Sequence, residues 1–158
     1  MLEWLESSQF SVWIRTELWG WPLALTLHAF GTALVIGFIL IIGLRLLGLF
    51  AMIPYTLLNR LFPVVWGALA LQFVSGFTLW MAKPTQYIHD IAFVLKLLLM
   101  IAGIVLTLSF YRSIKQEAVS WDAKGTASSR AVTLGSAALL VWCVVLVASR
   151  LTAHLGSI

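Results

Sequence analysis

Apolar residues arrive in long blocks along this chain, separated by short polar or proline-marked breaks. A helix that crosses a bilayer needs about 20 mostly apolar residues, because the hydrocarbon is about 30 Å thick and a helix rises about 1.5 Å per residue. Four blocks meet that requirement. They run from about 21 to 50, broken by His28 and Arg45; from about 61 to 81, with Gln72 the most polar position; from about 91 to 111, containing Lys96; and from about 131 to 151, with Arg150 near the end. None shows the period-2 alternation of a transmembrane barrel. Pro22 and Pro63 stand at expected helix starts, where a missing N–H is harmless. Pro54, the Asn59-Arg60 pair and Lys83-Pro84 mark the breaks. Asp90 is a candidate N-cap for the third helix, and Ser128 and Ser129 for the fourth. Connections are short except for 112–128, which reads as a polar, solvated loop. Short connections favour antiparallel neighbours. The expected fold is therefore all-α: a polytopic membrane protein, a four-transmembrane-helix up-down bundle occupying 1–158 as one domain.

Residues 1–20 follow a different pattern. Leu2, Leu5, Phe10, Trp13, Ile14 and Leu18 mix with Glu3, Glu6, Arg15 and Glu17. That mixture predicts an interfacial helix or folded arm rather than a fifth span. The acidic start and the lack of a short apolar run ending in small residues do not match a signal peptide.

Composition sharpens the class. Of 158 residues, 61% are hydrophobic and 10% charged, with a mean hydropathy of +1.01. Soluble domains are about a quarter charged and disordered chains need low hydrophobicity, so neither class fits. Cys143 is alone and cannot form an internal disulfide. A net charge of +4 raises the question of nucleic acid, but ten Lys and Arg spread through so apolar a chain form no basic stripe. The bilayer is the expected partner instead, and the cations set an orientation. Arg45, Arg60, Arg112, Lys115, Lys124 and Arg130 fall on the side reached by the end of the first helix. By the positive-inside rule that side is cytoplasmic, which predicts a bacterial inner-membrane protein with both termini periplasmic. Trp4, Trp13, Trp19, Trp21 and Trp80 then collect at the opposite interface, where amphipathic rings settle.

This topology gathers candidate chemistry on the periplasmic side. His28 lies two turns into the first helix, His89 precedes the third, and His154 closes the fourth. Lys96 follows His89 by seven positions and Arg150 precedes His154 by four, so each pair shares a helix face. Counting about 1.5 Å per residue brings His28, Lys96 and Arg150 to similar depths. No carboxylate lies within the spans; Glu17 and Asp90 stand only at their boundary. Charged groups in hydrocarbon are costly and point to function. One reading is a b-type haem, with His28 as one axial ligand, His154 or His89 as the other, and Lys96, Arg150 or Lys83 at the propionates. A second is a quinone or anion site with Lys96 and Arg150 as donors. Against these stand packing roles for the histidines and snorkelling for the cations, Arg45 above all. Gln72, Ser75 and Thr78 suit a polar core or interhelical hydrogen bonds, and Ala29, Ala33 and Gly37 a close-packing stripe within the chain or against another protein. A zinc site, a phosphate loop and a nucleophilic triad lack their spacings.

The segment Trp21-Pro22 … His28-Ala29-Phe30-Gly31 … Arg45-Leu46-Leu47-Gly48, with Tyr87 … Phe93 … Lys96 and Arg150, resembles a family of bacterial four-helix integral membrane proteins without an assigned reaction. More coarsely, the bundle resembles four-helix b-type cytochromes. The resemblance implies the fold and singles out His28, Arg45, Lys96 and Arg150, but implies no chemistry. The leading expectation is a small inner-membrane subunit taking part in electron transfer through haem or a quinone. The alternative is a cofactor-free accessory subunit of a larger membrane complex or homo-oligomer. No residue set for transforming a substrate is present, so an enzyme acting alone is not expected.

Overall fold

The computed structural model describes residues 2–88 and 90–155, with the side chains of Leu2, Ala92 and 150–155 left aside. Every regular element among the described residues is helical. Two short helices, α1 (Leu2–Glu6) and α2 (Gln9–Thr16), form the predicted arm. They lead into α3 (Gly20–Leu46). A small helix α4 (Tyr55–Leu58) and a single 3₁₀ turn at Asn59–Leu61 precede α5 (Phe62–Ala82). The short α6 (Pro84–Ile88) links to the long α7 (Ile91–Lys124), and α8 (Ser129–Leu155) completes the chain. Four helices are long and apolar enough to cross a membrane. They are apolar nearly all round, as lipid demands of an outer surface. Leu98, Ile101, Val105 and Phe73 accordingly point outward.

The helices α3 and α5 pack as one pair and α7 and α8 as another, and α3 joins the pairs by packing on α8. Gly31 facing Gln72 with Gly76 facing His28, and Gly43 facing Leu139 with Gly135 facing Leu46, make α5 and α8 antiparallel to α3, and the four-residue connection 125–128 makes α8 antiparallel to α7. The fourth side, between α5 and α7, closes through large side chains. Phe62 meets Phe110 and Tyr111 at ring-centroid distances of 5.9 and 4.4 Å, and Trp66 meets Tyr111 edge-on at 5.9 Å. These rings belong to the larger of two core clusters, which also holds Ile42, Leu46, Tyr55, Ile114 and Trp121.

Two boundaries depart from expectation. The first span stops at Leu46 instead of running to about 50. Gly48 takes φ +91, its N–H bonds to the Arg45 carbonyl, and the Leu49 N–H reaches back to Leu44. That is a Schellman stop, and glycine supplies the left-handed residue it needs. The predicted loop at 112–128 is mostly helix: α7 continues to Lys124, leaving only 125–128 as the connection. Residues 112–124 contain no Gly or Pro, and Ile114, Ala118 and Trp121 continue the inward stripe set by Gly103, Thr107 and Phe110. Gly125, at φ +76, ends the helix. At about 1.5 Å per residue the 34 residues of α7 reach about 50 Å, well beyond a hydrocarbon core of about 30 Å.

The arm folds against the opposite end of the bundle. Ser8 caps α2 by accepting from the Ser11 N–H at 3.3 Å, and the Ser11 hydroxyl donates to the carbonyls of Met81 and Ala82 at the end of α5. Arg15 donates to the Glu6 carboxylate and backbone carbonyl, and Glu6 also accepts from Thr85 on α6. Trp4, Trp13, Leu18 and Trp19 remain exposed at this end, as an interfacial segment requires.

Candidate functional site

The polar residues of α3 and α5 meet in one seam on the arm side. Gly31 and Gly76 let the helices approach: a Cβ at Gly31 would stand 2.9 Å from Gln72 Oε1 and 3.2 Å from its backbone nitrogen, and one at Gly76 would stand 3.0 Å from His28 Cε1. His28 is therefore wedged against the α5 backbone. Its Nε2 lies 3.1 Å from the Gln72 amide nitrogen, so Nε2 accepts and Nδ1 carries the hydrogen. Nδ1 in turn lies 3.1 Å from Ser75 Oγ, whose hydroxyl donates to the Leu71 carbonyl at 2.7 Å. Thr32 Oγ1 sits 2.9 Å from the His28 carbonyl and 3.0 Å from Gln72 Oε1, and donates to them. The seam satisfies itself, as polar groups in a hydrocarbon environment must.

Lys96 enters from the other pair of helices. It lies on the inward stripe of α7, one turn beyond Met100, which packs against the second core cluster around Val35 and Trp142. It is half-buried there. The ammonium forms no hydrogen bond or ion pair with any described residue; among those residues the single salt bridge is Arg15–Glu6. The structure places both His28 and Lys96 at half-buried positions of their helices. His89, and the side chains of Arg150 and His154, lie outside the described residues. Nearby, Tyr87 packs on Phe93 with ring centroids 5.3 Å apart, and burial together with the Asp90 carboxylate pushes its phenol above the ordinary value.

A haem can be tested against this geometry. An axial imidazole must offer a lone pair to open space. Here Gln72 occupies the direction of Nε2, Ser75 that of Nδ1, and α5 backbone lies against the ring edge. His28 in this setting does not fit an axial ligand. Among the described residues no group of three or more His, Cys, Asp and Glu is placed to hold a metal ion.

The hydrogen-bond inventory instead defines what the site can receive. Lys96 donates to no described residue, and the Gln72 amide nitrogen uses one of its two N–H groups on His28. The acceptors of the seam are engaged within it. What remains on offer is donors and positive charge, which suits a carbonyl, carboxylate or phosphate oxygen. A separate apolar recess of about 140 Å³ lies between α2, α3 and α5, lined by Trp13, Leu23, Leu27 and Val74 and floored by Ser75 and Thr78. Thr78 donates to the Val74 carbonyl and takes no part in the seam. Thr32, four residues after His28, went unremarked in the sequence; that helical spacing was the signal for it.

Arg45 does not snorkel to the headgroups. It is 5% exposed, with Nε donating to the Ile53 carbonyl at 2.5 Å, NH1 donating to the Tyr55 hydroxyl at 3.0 Å, and its guanidinium 3.8 Å from the Tyr55 ring centroid. The Asp122 carboxylate completes the knot by accepting from the backbone N–H groups of Tyr55 and Thr56 at the start of α4. The Ala29–Ala33–Gly37 stripe is not used within the chain: both alanines are exposed, and a Cβ at Gly37 would meet nothing within 4 Å.

No family model, curated protein or solved structure matches the chain. The site geometry therefore carries the functional reading by itself.

Proposed function

We propose that this protein is a small membrane subunit that holds the carbonyl headgroup of a membrane-soluble quinone beside Lys96 and Gln72, as part of an electron-transfer assembly. The observation that carries this reading is Lys96 on the inward stripe of α7, without a counter-charge among the described residues, at the same end of the bundle as a seam whose spare hydrogen-bonding capacity is donation. A cation in that position costs roughly 2.5–3.5 kcal/mol near mid-membrane, and it is retained where a ligand or pathway uses it. A neutral dicarbonyl dissolved in the bilayer can reach it without crossing a headgroup layer. Arg60, Arg112, Lys115, Lys124 and Arg130 are exposed at the opposite end, which favours an orientation with the site in the periplasmic half of a bacterial inner membrane.

The test is quinone retention by the detergent-purified protein, comparing wild type with Lys96→Met. The expected result is at least a tenfold loss of bound quinone with thermal stability unchanged or raised, because the substitution removes a buried charge. A protein that holds no added quinone, or a variant that loses stability in step with binding, overturns the reading. A second reading, a cofactor-free accessory subunit, is favoured by the outward Ala29–Ala33–Gly37 stripe. It predicts a stoichiometric partner that Gly37→Leu releases while quinone retention is unaffected.

A further inference from the structure

At the basic end, α5 and α7 meet through rings rather than backbone, and the meeting point carries unspent donors. Trp66 and Tyr111 contact edge-on, yet the indole N–H and the phenol O–H have no hydrogen-bond partner among the described residues, and neither atom is buried. Lys115 follows Tyr111 by one helical turn on the same face, about 6 Å nearer the aqueous end, and Arg112 lies beside it. Arg60 stands in the 3₁₀ turn that leads into α5 and packs against α7. All three cations are exposed and none forms an ion pair with a described residue. The two acids nearest in sequence are committed elsewhere: Glu117 accepts from the Trp121 indole, and Asp122 from the α4 backbone.

The order of groups along the bundle axis is the informative point. Two ring donors stand at one level; along α7 Arg112 lies about 1.5 Å and Lys115 about 6 Å nearer the aqueous end, and Arg60, in the turn before α5, stands farther out than Trp66. A phospholipid presents oxygens in the matching order, with ester and glycerol oxygens below and the phosphate above. Arginine adds a forked donor suited to phosphate oxygens. Because three of these five side chains are cations and none is an anion, a headgroup carrying its own ammonium is disfavoured against one with net negative charge. We infer that Arg60, Arg112 and Lys115, with Trp66 and Tyr111, form a binding site for an anionic phospholipid, such as phosphatidylglycerol, between α5 and α7.

Native mass spectrometry of the purified full chain tests this with three probes: phosphatidylglycerol, phosphatidylcholine and inorganic phosphate. The expected outcome is several-fold greater retention of phosphatidylglycerol than of phosphatidylcholine. Arg112→Gln combined with Lys115→Gln should bring the two to near parity. Lys124→Gln with Arg130→Gln, which removes the same charge from the same end away from these five residues, should preserve the preference. All four positions are exposed, and an unchanged melting temperature verifies that each variant is folded. Equal loss in both double variants would show diffuse surface charge and overturn the site. Equal retention of both lipids by the wild type would do the same, and displacement of phosphatidylglycerol by millimolar inorganic phosphate would make a free anion the ligand.

Discussion

The two halves of this bundle solve the problem of polar groups in a membrane differently. At the basic end, Arg45, Tyr55 and Asp122 form a knot in which each spends its hydrogen bonds or charge on the others, surrounded by Phe62, Phe110 and Trp121. At the arm end, the seam of His28, Thr32, Gln72 and Ser75 is equally complete, but Lys96 on α7 has no ion pair or hydrogen bond among the described residues. A buried cation tied to an aromatic ring and a carbonyl is explained by stability. A half-buried cation tied to nothing within the described residues is the natural place for a ligand. The two arginine and lysine positions look alike as isolated charges in apolar helices, and only their partners separate them.

That contrast can be tested by removing one element at a time. Tyr55→Ala should have the largest effect, about 3–5 kcal/mol in reversible detergent unfolding, because it leaves a cavity and strips Arg45 of its ring. Little loss would mean that the basic half is not the stabilising half. Gly31→Ala should cost about 1–3 kcal/mol, since the added methyl collides with the Gln72 amide and backbone. Gly37→Ala serves as its counterpart and should stay within about 0.5 kcal/mol, having no neighbour to strike. If both glycine variants behave alike, the close α3–α5 approach is wrong. Gln72→Leu should cost about 1 kcal/mol, in line with the modest worth of interhelical hydrogen bonds in membranes. It should also weaken quinone retention by more than that cost accounts for.

The four spans and the arm could be read in the sequence because hydrocarbon thickness imposes a length and composition that few other constraints produce. The end of α3 was misjudged because Leu47, Leu49 and Phe50 extend the apolar run past the glycine that stops the helix. The extension of α7 was missed because polarity was taken for irregularity, although Ile114, Ala118 and Trp121 kept helical spacing. At the site, His28 and Lys96 stood out as ionisable groups in apolar surroundings. The engagement of both ring nitrogens could not be read, since it depends on how far Gly31 and Gly76 let α5 approach. Arg45 was misassigned for a similar reason: its partners lie on a loop folding back eight to ten residues later, and no periodicity announces that return.

The unbroken length of α7 has a mechanical consequence. From Lys96 to Trp121 it spans about 37 Å with no proline or internal break, so it moves as a rod. Gly103 rests on Trp142, nearer the Lys96 end. A rod pivoting there magnifies displacement on its longer arm: a small tilt at the Lys96 end becomes a larger sweep of the Trp121 end against α4.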